Sequence, residues 1–410
     1  MSHPIWMAHF FFGGNYCNFG RYVVNLSMIS SVAQYILSVQ YLDMMSRTLG
    51  SRQIYPIFEE GSNRPSCSIG NSVIVFAVMC KGRKMAMRVY MRPHRNLRAI
   101  YGERYYPMEL LVNSSDSECG LADVVLCDWY EGVSLQSKIE ALCRKPDKMA
   151  VLSQMFEEFA LSLLNERWAH GDVKPENIIF SNDGLHLIDF DAMYREDFTI
   201  DDCVEIGTRQ YQHPLRDKNN FDSNIDDYPI ALITTALAAM SLDASIGRDV
   251  PQSDRLLITP DLAIANRDDV LHRIERLFAE KGDVRHYRIA RLLHSPIPAL
   301  PQLKNLLEIA PTKEIFADTP TLEYYNGYWG FAVDGRFVIP PLYDLAFEFS
   351  EGLALVRVGD VWHFIDTSGA VVITCGRGVG IKPFHGGVTS IMREDGEFVI
   401  YRDGRIEKNL

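Results

Sequence analysis

The sequence predicts an α+β protein that ends in a small all-β module. Three observations predict it. Short β-branched runs at 73–79, 85–91 and 123–129 come early in the chain. Helical patterns dominate from 149 to 308, one amphipathic and one free of charge. From Tyr324 onward apolar and polar residues alternate between D-G, S-G and E-G turns, and the pattern repeats.

At 410 residues the chain is too long for one ordinary domain. Its 47% hydrophobic and 23% charged residues are ordinary for a soluble globular protein. Lys and Arg number 41 against 53 Asp and Glu, a formal net charge of -12. That balance argues against a nucleic-acid binder, which needs a basic face. The eight cysteines include no C-x-x-C pair, so neither a zinc site nor a disulfide framework is expected from them. Reduced thiols of a cytoplasmic protein fit the spacing.

Each element has its own warrant. Residues 1–48 carry FFFGG and then a long apolar run around 22–42. Asn25, Ser27, Ser30, Ser31, Gln34 and Gln40 interrupt that run, so a membrane span is not expected. The segment reads as an N-terminal extension. It is either an amphipathic accessory helix or sequence upstream of the native start, with Met44 or Met45 as plausible first residues. VIVFAVM (73–79) and MAMRVYM (85–91) read as strands joined by a CKGRK turn, residues 94–112 as helical, and DVVLCDW (123–129) as a buried strand. Over 149–168 the apolar positions Leu152, Met155, Phe156, Phe159, Ala160, Leu163 and Leu164 recur at helical spacing. IIF and LHLI flank SNDG, and Asp183-Gly184 favours a tight hairpin turn. YPIALITTALAAMSL (228–242) holds no charge, which suggests a helix buried on all sides, with Pro229 in its first turn. Residues 268–308 read as helices broken at HSPIPALP, and APTKEIFADTPT (310–321) as a linker.

The hairpin gathers a set of polar residues: His170, Asp172, Lys174, Asn177, Asp189 and Asp191. Their chemistry suits phosphoryl transfer, which needs positioned metal ions and a carboxylate that orients the attacking hydroxyl. Asp172 can accept that hydroxyl's proton, and Lys174 can neutralise charge at the transferred group. Asn177 and Asp189 offer oxygens to Mg²⁺, a hard cation. Two paired strands would bring those two residues to one edge although they lie 12 apart.

At these residues the sequence resembles the protein kinase superfamily. HGDVKPENIIF resembles its catalytic loop and LIDFD its metal-binding D-F-G segment. EIGTRQYQHP (205–214) resembles the end of the activation segment, and Asp226 with DYPIA resembles the start of the buried central helix. GRKMAMRVY resembles the V-A-I-K strand, and VVLCDWYEGVSL the last N-lobe strand and hinge. Six motifs in one order cover roughly 50–310. The resemblance implies a two-lobed protein-kinase-like fold, with an N-lobe at about 49–130 and a C-lobe at about 131–310. It also implies ATP with Mg²⁺ between the lobes. Arg88, Glu103, Gly70, Cys127, Asp128 and Trp129 would face the nucleotide, Asn177 and Asp189 the metal, and Asp172 and Lys174 would be catalytic. Lys174-Pro175 and GTRQYQHP favour the protein-kinase branch over small-molecule kinases, which also carry H-G-D. The expected activity is transfer of phosphate to Ser or Thr of a protein in bacterial signalling. A catalytically weak, nucleotide-binding scaffold is the alternative.

The departures are specific. Arg88 stands where the family has lysine, and its planar fork fits phosphates differently. SCSIGNSV offers only Gly70 in place of a glycine-rich loop. Gly171 replaces the catalytic-loop arginine, Asp191 the glycine of D-F-G, and Leu215 the glutamate after Pro214. Glu103, or else Glu109, is the candidate partner of Arg88. Thr199 and Thr208 are candidate phosphosites in the activation segment.

YWGFAVDGRFVIPP (328–341) matches VWHFIDTSGAVVIT (361–374), with Trp329 and Trp362 33 apart, and 397–406 begins a third copy. These segments resemble WG repeats, small β-units that pack on one another. The layout read from sequence is therefore an extension at 1–48, a kinase-like domain at 49–310, a linker at 311–322 and the β-repeat module at 323–410. The repeats are expected to offer a protein-binding surface.

Overall fold

The structure, a computed structural model, describes residues 16–19, 22–25, 32–112, 120–248, 256–309 and 319–409. The chain divides into two compact units, Met1–Glu131 and Gly132–Leu410. Helices mix with antiparallel sheets, and three small sheets end the chain, so the fold is α+β. Among the described residues no helix is long and apolar enough to cross a membrane. Cys67, Cys80, Cys127, Cys143, Cys203 and Cys375 are free thiols.

In the first unit, β1 (Tyr16–Phe19) pairs with β2 (Tyr22–Asn25), and two helices follow, α1 (Val32–Gln40) and α2 (Leu42–Met45). The main sheet contains β3 (Ile54–Pro56), β4 (Cys67–Ile69), β5 (Val73–Cys80), β6 (Arg83–Tyr90), β7 (Tyr105–Leu111) and β8 (Leu121–Asp128). Its order is β3-β5-β6-β8-β7, with β4 also paired to β5. Alternation sorts the faces. Ile74, Phe76, Val78, Met87, Val89, Val124 and Leu126 build one core, while Ala86, Arg88 and Cys127 lie on the opposite parity.

Two expectations change here. The boundary drawn after residue 48 falls inside this unit, because Tyr35, Val39, Leu42 and Leu49 are buried in the same core. Their apolar spacing is that of a core-facing helix, not of a detachable arm. Residues 94–112 are mostly not helical. A short helix, α3 (Leu97–Tyr101), stops at Gly102, which has φ of +55°, and β7 follows. Tyr105 and Tyr106 favour strand, Pro107 cannot continue a helix, and a register shift between Tyr106 and Leu110 absorbs the proline.

The second unit opens with β9 (Gly132–Ser134), α4 (Leu135–Leu142) and α5 (Pro146–Leu164). Pro146 sits in the first turn of α5, where a missing N–H costs nothing. Met149, Leu152, Phe156 and Ala160 form its buried stripe. The hairpin of β10 (Ile178–Ser181) and β11 (Gly184–Leu187) pairs with β9. The charge-free run is α6 (Asp227–Leu242), with every residue from Asp227 to Met240 buried. Four shorter helices surround it: α7 (Pro260–Ile264), α8 (Asp269–Lys281), α9 (Val284–Leu292) and α10 (Leu303–Glu308). They share one core with α4, α5 and α6.

The C-terminal sheets are β12 (Thr321–Tyr325), β13 (Tyr328–Val333) and β14 (Arg336–Tyr343); then β15 (Leu345–Ala346), β16 (Ala354–Val358), β17 (Val361–Ile365) and β18 (Val371–Arg377); then β19 (Val388–Arg393), β20 (Gly396–Tyr401) and β21 (Ile406–Lys408). Trp329 and Trp362 are each the second residue of a strand. All of β17 is buried, because both faces of the middle sheet are covered. Val356, Val361 and Ile365 pack with Phe331 and Ile339 of the first sheet and with Ala279 and Val284 of the helices. Leu355, Trp362, Phe364 and Ile373 pack with Phe384, Ile391 and Ile400 toward the third.

The repeats are thus built into the helical unit. His363 Nε2 donates to the Ala279 carbonyl at 2.6 Å, and Arg288 donates to the Leu342 carbonyl and pairs with Asp344 at 3.0 Å. The expected linker falls largely on 310–318, outside the described residues.

Leu42→Ala should cost the chain about 2–5 kcal/mol by denaturant titration, as a core truncation does. A loss within about 0.5 kcal/mol, typical of surface positions, would place the segment outside the core. A pH effect is also expected at His286 on α9, which bonds Asp283 Oδ2 at 2.7 Å and Glu157 Oε1 of α5 at 2.9 Å. Burial lowers its pKa, but the two carboxylates outweigh burial and raise it from 6.5 to about 9. A raised histidine stabilises fully below its unfolded pKa of 6.5 and loses that contribution as pH rises through about 9. Melting temperature should therefore fall across this window in wild type and less in His286→Gln; parallel profiles would refute the assignment.

Candidate active site

The site grows from the loop between α5 and β10. Asp226, the residue before α6, is buried, and its two carboxylate oxygens accept the N–H groups of His170 and Gly171, the latter at 2.8 Å. Burial raises the Asp226 pKa, opposed by His170, the two N–H donors and Arg216. Arg216 Nη1 donates to the Gly171 carbonyl at 3.0 Å, and Gln212 Nε2 reaches the same oxygen at 3.2 Å. Both polar groups of Gly171 are therefore held from the far side of the loop.

His170 carries this anchoring toward the hairpin. Its Nε2 donates to the Ile188 carbonyl at 2.9 Å, and its ring meets Phe190 edge-on at 5.0 Å. Ile188 N donates to the Asn177 carbonyl at 2.9 Å, so Asn177 lies across the ladder from the residue before Asp189. Asp189 itself has φ of +70° and ψ of 65°. A non-glycine residue held there is strained and signals a site where the surroundings fix the backbone.

Asp172 is the centre of the cluster. Asn177 Nδ2 donates to its carbonyl at 3.0 Å and to Oδ2 at 3.1 Å. Lys174 Nζ lies 3.0 Å from Oδ2. Thr208 donates its N–H to Oδ1 at 2.5 Å, and its hydroxyl lies 3.2 Å from Oδ2 and 2.7 Å from Lys174 Nζ. The carboxylate is thus fixed by four groups. The Asn177 amide spends its nitrogen on Asp172, which leaves Oδ1 as the atom for a hard cation. This oxygen and the Asp189 carboxylate are donors of the kind that hard cations take.

The structure brings Asp172, Lys174 and Asn177 together and sets Asp189 at the end of the neighbouring strand. It adds Thr208, read from sequence only as a phosphosite. Its hydroxyl is engaged between Lys174 and Asp172. Thr199 likewise caps a short turn through Asp202.

The remaining predicted residues belong to the first unit. Arg88 is buried, with Nε 3.2 Å from the Tyr90 hydroxyl. Gly70 is exposed in the turn between β4 and β5, its N–H donating to the Val73 carbonyl at 2.9 Å. Cys127 and Asp128 end β8, and Asp128 accepts from Arg83 at 2.8 Å and Arg104 at 3.0 Å. Lys84 Nζ sits 4.2 Å over the Trp129 ring. Glu103 is exposed in the single 3₁₀ turn Gly102–Arg104 that follows α3. Glu109 is on β7, and its carboxylate accepts from Thr48 N, Thr48 Oγ1 and Leu49 N. That commits it to the segment ahead of β3.

Comparison with known proteins bears on the C-terminus. Residues 333–362 match the family described as WG containing repeat, which is the resemblance the tryptophan spacing carries. No curated protein matches the chain.

Two glycines make the loop geometry possible. Gly171 has φ of +82° and Gly207 of +84°; a Cβ on the first would strike the Ala192 carbonyl, and on the second the Gly171 carbonyl. Gly171→Ala should therefore cost more than the roughly 1–2 kcal/mol of the left-handed conformation alone. Chemical denaturation measures it, and a neutral substitution would show that the loop relaxes freely.

Proposed function

We propose that the chain is an ATP-dependent phosphotransferase of the protein kinase superfamily, with a two-lobed kinase-like fold, that modifies Ser or Thr of a protein. The observation that carries this reading is the set of groups converging on Asp172: Lys174, Asn177 and Thr208, with Asp189 at the adjoining strand end. Asp226 supports it further, since the resemblance implies an aspartate at the head of a buried helix, and here that aspartate anchors the loop.

The chemistry follows from positions. Asp172 Oδ1 accepts one protein N–H and keeps a lone pair for a substrate hydroxyl, which it would orient and whose proton it would take. Lys174, held against Asp172 and Thr208, places a positive charge where the transferred group would gather negative charge. Mg²⁺ at Asn177 and Asp189 would supply charge neutralisation on the nucleotide phosphates. Asn177 has a second task, because its amide nitrogen holds the Asp172 carboxylate in one orientation.

A second reading, a nucleotide-binding scaffold with weak or absent catalysis, is favoured by the first unit. Arg88, where the family has lysine, lies beside Tyr90, Glu103 is exposed, and Glu109 accepts from Leu49. On that reading the β-repeats are the partner surface.

Turnover of Mg-ATP, followed by hydrolysis and autophosphorylation, separates the two. Asp172→Asn should lower turnover by at least about 10²-fold, the lower end for a general base, while keeping the thermal shift given by Mg-ATP. Asp189→Ala should lose that shift. A shift without turnover in wild type would leave the scaffold reading, and an unchanged Asp172→Asn rate would remove Asp172 from the chemistry.

A further inference from the structure

We propose that His272, Glu275 and His294 form a binding site for a divalent transition-metal ion of the zinc class. The site shares no residue with the Asp172 cluster. It lies on the helices that carry the repeats.

The fold assembles it from two helices. His272 and Glu275 are three apart on α8, which puts them on one face. The chain turns at Gly282 and returns as α9, and His294 follows two residues after α9 ends. One donor atom from each residue lies within 4.8 Å of the other two. Bonds of about 2.0–2.1 Å around a tetrahedral ion set its ligand atoms roughly 3.3 Å apart. Rotations of about 1 Å at the side-chain tips close that difference.

The hydrogen bonds pre-arrange the ligands. His294 Nδ1 is 2.7 Å from the Ala263 carbonyl, which can only accept, so Nδ1 carries a proton. Nε2 lies 2.7 Å from Glu275 Oε1, so a proton bridges these two ligand atoms and an incoming ion would displace it. A backbone carbonyl on the remote nitrogen is the outer-shell arrangement that fixes tautomer and ring direction in metal-binding histidines. The His272 and His294 rings are stacked, 5.9 Å apart and inclined by 20°. Asn266 Oδ1 steadies His272 through Nε2 at 3.1 Å.

Glu275 supplies the second argument. Its side chain is only 10% exposed, and a buried carboxylate needs a counter-charge. Its partners are His294 Nε2 at 2.7 Å and the half-exposed Arg291 Nη1 at 3.4 Å, and an ion would take the place of the proton shared with His294. His272 and Glu275 line a cleft of about 540 Å³ together with Asp269, Tyr287, Asp360 and Arg377. That cleft gives the ion a path and room for a water as fourth ligand. Two imidazoles select against Mg²⁺ and Ca²⁺, which take oxygen ligands. An ion here would tie α8 to the segment after α9, beside the Ala279 carbonyl that receives His363.

The test uses the full chain, stripped with chelator and titrated with Zn²⁺ against a chromogenic competitor, with Co²⁺ absorption as a check on nitrogen and oxygen ligation. One ion per chain is expected, together with a rise in melting temperature that Mg²⁺ does not reproduce. His272→Ala and Glu275→Gln should each weaken Zn²⁺ binding at least tenfold, the loss that even outer-shell changes cause. Both should leave the circular dichroism spectrum unchanged. Equal Zn²⁺ affinity in wild type and both variants would assign the binding to thiols and overturn the proposal, as would no binding at all.

Discussion

The buried carboxylate of Asp226 is the constraint on which the rest of the candidate site depends. Taking a carboxylate out of water is expensive, and it persists only where hydrogen bonds compensate it. Here the compensating donors are the backbone N–H groups of His170 and Gly171. The loop is therefore fastened to the head of a helix that is itself buried on all sides and cannot shift without disrupting the core. From that anchor the order propagates through His170 to Ile188 and Phe190, and through Ile188 to Asn177. Asp172 inherits its position from the residues on either side. This explains how short, polar, loop-borne groups can be held closely enough for chemistry that relies on placement.

The same economy operates at the other end of the unit. Helices α8 and α9 bury one side in the helical core and offer the other to the repeat sheets. The middle sheet gains cover on both faces, which is why β17 has no exposed position. A four-stranded sheet could not achieve that alone. Arg288 illustrates the coupling: it is 7% exposed, reaches a carbonyl and a carboxylate of the first sheet and its neighbouring turn, and lies 4.0 Å over the Tyr328 ring. The repeats are a structural wall of this unit.

Much of this was legible in the residues. Helical spacing marked α5, absence of charge marked α6, and Asp183-Gly184 marked the hairpin that sets Asn177 near Asp189. The 33-residue tryptophan spacing marked the repeats. What escaped reading had physical reasons. Tyr35 and Val39 belong to a core through a long-range contact that local polarity does not reveal. Residues 94–112 carry mixed signals, in which Gly102, Tyr105, Tyr106 and Pro107 oppose a continuous helix. Glu109 looked available because only the fold brings Thr48 and Leu49 to its carboxylate. Thr208 is 36 residues from Asp172 along the chain, and only the fold brings it to that carboxylate. The burial of both faces of the repeat sheet depends on helices encountered earlier in the chain.

Amide hydrogen exchange across 168–177, compared between wild type and Asp226→Asn, tests the central constraint most directly. The asparagine keeps the shape but removes the charge and one of the two acceptors. The account predicts slow exchange at His170 and Gly171 in wild type. In the variant the whole loop should lose protection, while helix 227–242 keeps it. Protection of the loop that survives the substitution, with the helix equally intact, would contradict the claim that Asp226 holds the site together.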